Sequence, residues 1–152
     1  MIAAARELEV PFSAVRAGLK AFTGVQRRLE VKGCVNGVTV VDDYGHHPTE
    51  IRETLAAARQ VWPNRLIVVF QPHRYTRTKA LFQEFLTAFP NADKLILTDI
   101  YPASEDPIPG VSAAALADGI RRAGHRDVQH IGDFGAIVDL LRKTAQPSDV
   151  IL

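Results

Sequence analysis

Leu66-Ile67-Val68-Val69-Phe70, followed at once by Gln71-Pro72-His73-Arg74-Tyr75-Thr76-Arg77-Thr78, decides the fold. An unbroken apolar run of strand length is what a strand covered on both faces requires, and parallel sheets are built from such strands. The stretch after it, Thr76 to Phe89 with Leu81, Phe82, Phe85 and Phe89 on one stripe, predicts the helical crossover that a parallel neighbour needs. The same alternation repeats outward. Upstream, Val38–Val41 reads as a strand leading to a helix over Pro48–Trp62, with Ile51, Leu55, Ala58 and Trp62 on one face. Downstream come a strand over Lys94–Thr98, a helix over Ser112–Ala123, a strand over Val128–Ile131, a helix over Phe134–Lys143 and a last strand at Asp149–Leu152. Arg28–Val35 and Val38–Asp42 flank Asn36-Gly37, a two-residue hairpin signal. The expectation is an α/β fold: a Rossmann-like, mostly parallel open sheet with an antiparallel edge hairpin and helices on both faces.

The first residues have a different character. Met1–Leu8 is Ala-rich and Val10-Pro11 breaks it; Val15, Leu19 and Phe22 then mark a second helix from Pro11 to Phe22, with Gly24 past its end. Short helices with one apolar stripe each need another surface to cover them. Residues 1–24 therefore read as the tail of a preceding domain and its linker, and residues 25–152 as the domain proper. Ending on Val150-Ile151-Leu152, inside a strand, the domain is expected to be truncated.

Composition narrows the function classes. Among 152 residues, 18 Lys and Arg against 17 Asp and Glu leave a net charge of +1, without the basic excess of a dedicated nucleic-acid binder. No apolar run approaches the roughly 18 residues of a membrane span, and Met1–Glu7 is too short and polar for a secretory signal. No nucleic acid, no membrane and a cytoplasmic location are the expectations. Cys34, the single cysteine, lies in the predicted edge strand and reads as an inert thiol. Neither a Gly-x-x-x-x-Gly-Lys-Ser/Thr phosphate loop nor a Gly-x-Gly-x-x-Gly fingerprint is present.

Ligands of open parallel sheets bind beyond the carboxyl ends of the strands. That rule selects Asp42-Asp43-Tyr44-Gly45-His46-His47-Pro48 and Gln71–Thr78, each running from a strand end to a helix start on the same edge, with their two strands expected to be neighbours. Asp42 and Asp43 suit Mg²⁺ through water or sugar hydroxyls, or else plain helix capping. His73, Arg74 and Arg77 form an anion-binding set, the arginines matched to a planar oxyanion; a solvated surface face is the alternative. Arg27 and Arg28 stand either as an exposed linker or as a phosphate contact. His125 and His130 read as structural, and the loop Ile100–Val111, with Pro102, Pro107, Pro109 and Ser104-Glu105-Asp106, as a mobile or binding loop.

Asp42 to Ile51, together with Phe70 to Thr78, resembles the carboxy-terminal domain of the Mur ligases, and Phe22 to Glu30 resembles the linker that precedes it. His73-Arg74-Tyr75-Thr76-Arg77 narrows the resemblance to the branch that adds L-alanine to UDP-N-acetylmuramate, against a murein-peptide recycling branch that shares the first motif. A non-catalytic, Rossmann-like anion-binding module is the rival from another class. The resemblance implies a three-domain, ATP-dependent ligase of peptidoglycan synthesis in which the muramyl carboxylate attacks the γ-phosphate of ATP and the amine of L-alanine attacks the resulting acyl phosphate. It implies ATP and Mg²⁺ bound mostly by a central domain absent here, a UDP-sugar domain also absent, and no activity for this chain alone. By the same resemblance Arg28 reaches the ATP phosphates and Asp43 the ribose and metal-water network. Tyr44, His46, His73, Arg74 and Arg77 wall the incoming amino acid, the arginines on its carboxylate and Tyr44 limiting its side chain, with His47 as loop support. A Gly-rich segment that follows the last strand in the family is missing from this chain.

Overall fold

Side chains along β3 (Leu66–Phe70) alternate between two apolar clusters, and that alternation organises the domain. Leu66, Val68 and Phe70 point into one cluster; Ile67 and Val69 point into the other. β4 (Lys94–Leu97) repeats the pattern, Leu95 and Leu97 against Ile96, as does β6 (Val150–Ile151). This is the period-2 geometry of a strand buried on both faces. The structure, a computed structural model, describes residues 2–22 and 24–152. Met1, at the head of the first predicted helix, and Thr23, in the predicted linker, lie outside them.

Six strands form one sheet in the order β1-β2-β6-β3-β4-β5, where β1 is Glu30–Val35, β2 Val38–Asp42 and β5 Val128–His130. Only β1 and β2 pair antiparallel; every other pairing is parallel. Asn36 (φ 51°) and Gly37 (φ 80°) close that hairpin, both in the left-handed region that a tight two-residue turn demands. The first cluster is covered by Ile51, Leu55 and Ala58 of α3 (Pro48–Val61), Phe85 of α5 (Phe82–Phe85), and Leu116, Ala117 and Ile120 of α6 (Ala113–Arg122). The second is covered by Ile137, Leu140 and Leu141 of α7 (Phe134–Thr144). Helices thus cover both faces of a mostly parallel sheet with an antiparallel edge pair, as the sequence predicts.

Two local expectations need correction. β2 and β3 are not neighbours: β6 lies between them, with Val150 paired to Thr39 on one side and Leu66 on the other. Consecutive strands commonly sit side by side, but a strand apolar on both faces hides more surface at an interior position, and Val150 is 1% exposed there. The helix predicted over Thr76–Phe89 is two segments, α4 (Tyr75–Ala80) and α5, turned at Leu81 (φ −106°, ψ 18°). Beyond the turn Phe85 and Phe89 meet Phe70, with ring centroids 5.7 and 5.3 Å away. The two helices expected at the start form as α1 (Ile2–Glu7) and α2 (Phe12–Ala21) and bury none of their described residues; Ile2, Val10, Phe12 and Val15 line an open groove between them, and Leu19 and Phe22 are exposed.

Candidate functional site

The segment after β2 is ordered by its own polar side chains. Asp43 is nearly buried, and its carboxylate accepts from the backbone N–H of Leu29 at 2.9 Å, the N–H of Gly45 at 2.8 Å and the Thr54 hydroxyl at 3.3 Å. Arg28 stands 4.0 Å from Asp43 and 4.0 Å from Glu50. Glu50 accepts the N–H groups of His46 and His47, which holds its carboxyl below the ordinary range, and the His47 ring caps α3 by accepting from Thr49 N–H at 3.2 Å. Pro48, with no N–H to satisfy, occupies the first helical position. A β-carbon on Gly45 would stand 3.0 Å from the Asp43 carboxylate, so the tight approach of loop to strand end favours glycine.

The linker is laced to the same loop. Tyr44 N–H donates to Arg27 C=O at 2.8 Å, the Arg27 guanidinium lies 4.9 Å over the Tyr44 ring, and its Nε donates to Asp42 at 3.2 Å. From Tyr44 a row of rings continues across the sheet edge. Tyr44 meets His46 edge-on at 5.3 Å, His46 faces His73 at 6.5 Å, and His73 stacks on Tyr101 at 5.5 Å. The two loops therefore converge although β6 separates their strands.

Between them lies a cleft of about 290 Å³, lined by Arg27, Asp42, Asp43, Tyr44, Gly45, His46, Val69, Phe70, Gln71, His73 and Arg77. Of the residues singled out from the sequence it brings together Asp43, Tyr44, His46, His73 and Arg77. Arg28 stands behind it on Asp43 and Glu50. Arg74 is not in its lining: Arg74 adopts φ 73°, fixed by its N–H to Tyr101 C=O at 2.8 Å, and its guanidinium turns to Glu105 at 4.0 Å. Arg27, weighed from the sequence as linker or phosphate contact, and Gln71, within the selected segment but given no role, also line it, whereas Tyr101 and Glu105 had no assignment within the proline-rich loop. The usable signal was topological, because that loop leaves the carboxyl end of β4 and so shares the edge.

Arg77 is the chemically distinctive group. Among the described residues no carboxylate pairs with it; its guanidinium donates to the His73 ring at 3.2 Å and reaches the His73 carbonyl at 3.5 Å. A donated N–H requires an unprotonated His73 Nδ1, so the ring is neutral with its proton on Nε2. Burial, then the charges of Arg77 and Arg74 and the nearby His46, push the His73 pKa below the ordinary 6.5, with Glu105 acting weakly the other way. By nuclear magnetic resonance the His73 ring is expected to titrate below 6.5, and Arg77→Ala to raise that midpoint only partway, since burial persists. The unfolded chain takes this proton first, so the stability tied to His73 is lost as pH falls below about 6.5 and is intact above it.

Elsewhere, His130 pairs with Asp99 at 2.7 Å. His125 belongs to a separate hollow at the other end of the strands, and both of its ring nitrogens are buried without a partner. Among the described residues no three His, Cys, Asp or Glu side chains gather as metal ligands, and no helix is long and apolar enough to cross a membrane.

The sequence profile described as "Mur ligase, glutamate ligase domain" matches residues 27–152, and the chain belongs to that family. Within it, the chain is 65% identical over 151 residues to the UDP-N-acetylmuramate–L-alanine ligase of Syntrophus aciditrophicus, covering 99% of this chain and 32% of that protein. Among solved structures, the UDP-N-acetylmuramate–alanine ligase of Thermotoga maritima superposes with a TM-score of 0.78 at 26% identity, over 99% of this chain and 31% of that one. A murein peptide ligase from Psychrobacter arcticus gives 0.69 at 25% identity, over 89% of this chain and 28% of that one. The chain spans about a third of the length of the curated relatives it matches.

Proposed function

We propose that the chain is the terminal domain of a bacterial, cytoplasmic, ATP-dependent ligase that joins L-alanine to UDP-N-acetylmuramate in peptidoglycan synthesis. Residues 1–24 are then the end of the preceding domain and its linker. The observation that carries the reading is the uncommitted Arg77 guanidinium on a cleft rimmed by neutral His73, His46 and Tyr44. A guanidinium without a protein carboxylate suits the carboxylate of an incoming amino acid, in two parallel hydrogen bonds. The exposed Tyr44 ring limits the room for that amino acid's side chain.

Arg28 fits the phosphate side: it is half exposed and no closer than 4.0 Å to either carboxylate. The Asp43 carboxylate fits a direct nucleotide or metal contact poorly, since internal donors already occupy it. Its part is to hold Arg28 and the Tyr44 loop at that wall. Mg²⁺ and most contacts to ATP belong to the preceding domain, where ATP supplies the activation of a carboxylate. This chain's residues bind and orient the amino acid and keep water from the activated carbonyl.

The reading predicts that the 152 residues alone show no ligation with ATP, Mg²⁺, L-alanine and UDP-N-acetylmuramate, whereas the complete ligase does. Amide formation by the isolated chain overturns the division of labour. Failure of the complete ligase to use L-alanine overturns the function.

A further inference from the structure

Four arginines stand on or beside the cleft, and their partners differ. Arg27 pairs with Asp42, and Arg28 stands between Asp43 and Glu50. Arg74 turns to Glu105, while Arg77 alone among them has no carboxylate among the described residues.

Glu105 arrives from a different part of the chain, the proline-rich loop after β4, and is held firmly. Thr76 N–H donates to one carboxylate oxygen at 2.9 Å and the Thr76 hydroxyl to the other at 2.6 Å. The clasp is reinforced on the main chain. Tyr101 N–H donates to Pro72 C=O at 2.8 Å, Arg74 N–H returns to Tyr101 C=O at 2.8 Å, and the Tyr101 ring stacks on His73. A non-glycine residue at φ 73° persists only where its surroundings dictate it, and here they direct Arg74 toward the loop. Both charges are felt in the cleft, since Arg74 and Glu105 act with opposite sign on His73 in its wall.

We propose that Glu105 is a specificity-determining residue: by offsetting the charge of Arg74 beside the cleft it leaves Arg77 the one arginine of the cleft lining without a carboxylate among the described residues, and so favours an amino acid with a single carboxylate over one with two. The inference rests on the reading of the cleft as an amino-acid site. Without Glu105, Arg74 becomes a second free cation beside the cleft and a second ligand carboxylate gains a counter-charge.

Glu105→Gln tests the charge with little change of shape. The amide oxygen still accepts from Thr76 N–H, and the amide nitrogen donates to the Thr76 hydroxyl oxygen. In the complete ligase, L-aspartate and its isostere L-asparagine are compared as inhibitors competitive with L-alanine, so that any general loss of binding cancels in their ratio. E105Q is expected to shift that ratio toward L-aspartate by roughly threefold or more, the scale of one partly screened charge. The double variant E105Q/R74Q, which restores the net charge, is expected to return it to the wild-type value; a purely structural role for Glu105 predicts no such return. An unchanged ratio in E105Q, including inhibition by neither amino acid in either protein, overturns the proposal, as does a double variant no different from E105Q. A wild-type ligase that does not use L-alanine overturns the underlying function instead.

Discussion

Replacing Arg77 with alanine in the complete ligase is expected to raise the KM for L-alanine far more than the KM for ATP. Arg77 has no carboxylate partner among the described residues, so in the proposed complex the substrate carboxylate is its principal counter-charge. Losing a charge-assisted, two-pronged contact costs on the order of 2–3 kcal/mol, or roughly 30- to 150-fold in affinity. Lysine is expected to recover only part of this, because an ammonium offers a point charge instead of a planar fork. Steady-state kinetics with each substrate varied in turn decides the matter: an unchanged alanine KM removes Arg77 from the carboxylate role. A parallel rise in both KM values points to a collapsed loop.

Asp43→Ala carries the second large effect, on stability. Three donors converge on that buried carboxylate, two of them backbone N–H groups on separate segments, Leu29 of the linker and Gly45 of the loop. Removing the acceptor leaves those donors without a protein partner and Arg28 with one counter-charge fewer. A cost of roughly 2–4 kcal/mol is expected from hydrogen bonds to a charged, buried group. Urea unfolding of wild type and variant measures it. A change below about 0.5 kcal/mol, the usual size for an exposed surface position, contradicts the packing role assigned to Asp43.

These two residues also show what was legible before the structure. Both fall in motifs that the carboxyl-end rule selects from the sequence, and both line the cleft. What sequence could not convey was how each charge is spent. Asp43 reads as a ligand by residue type, but its oxygens are taken by donors 2, 11 and 14 positions away in the chain. Arg74 and Arg77 look equivalent in His73-Arg74-Tyr75-Thr76-Arg77, yet a positive φ at Arg74 and Glu105, 29 positions beyond Thr76, separate their fates. The strands and most helices were legible because apolar periodicity records burial directly. The place of β6 was not, since Val150-Ile151 has the same two-faced character as β3 and β4 and nothing local says which gap it fills. The turn at Leu81 was hidden for a related reason: it carries no glycine or proline, and only the packing of Phe85 and Phe89 against Phe70 reveals it.

The central claim, that two strand-end loops converge to seat an amino-acid carboxylate on Arg77, is tested most directly by a crystal structure of the complete ligase with L-alanine bound. The account predicts both carboxylate oxygens within hydrogen-bond reach of the Arg77 guanidinium, between His73 and Tyr44, with Arg74 still turned toward Glu105. L-Alanine seated elsewhere, with Arg77 facing only solvent or protein, contradicts it.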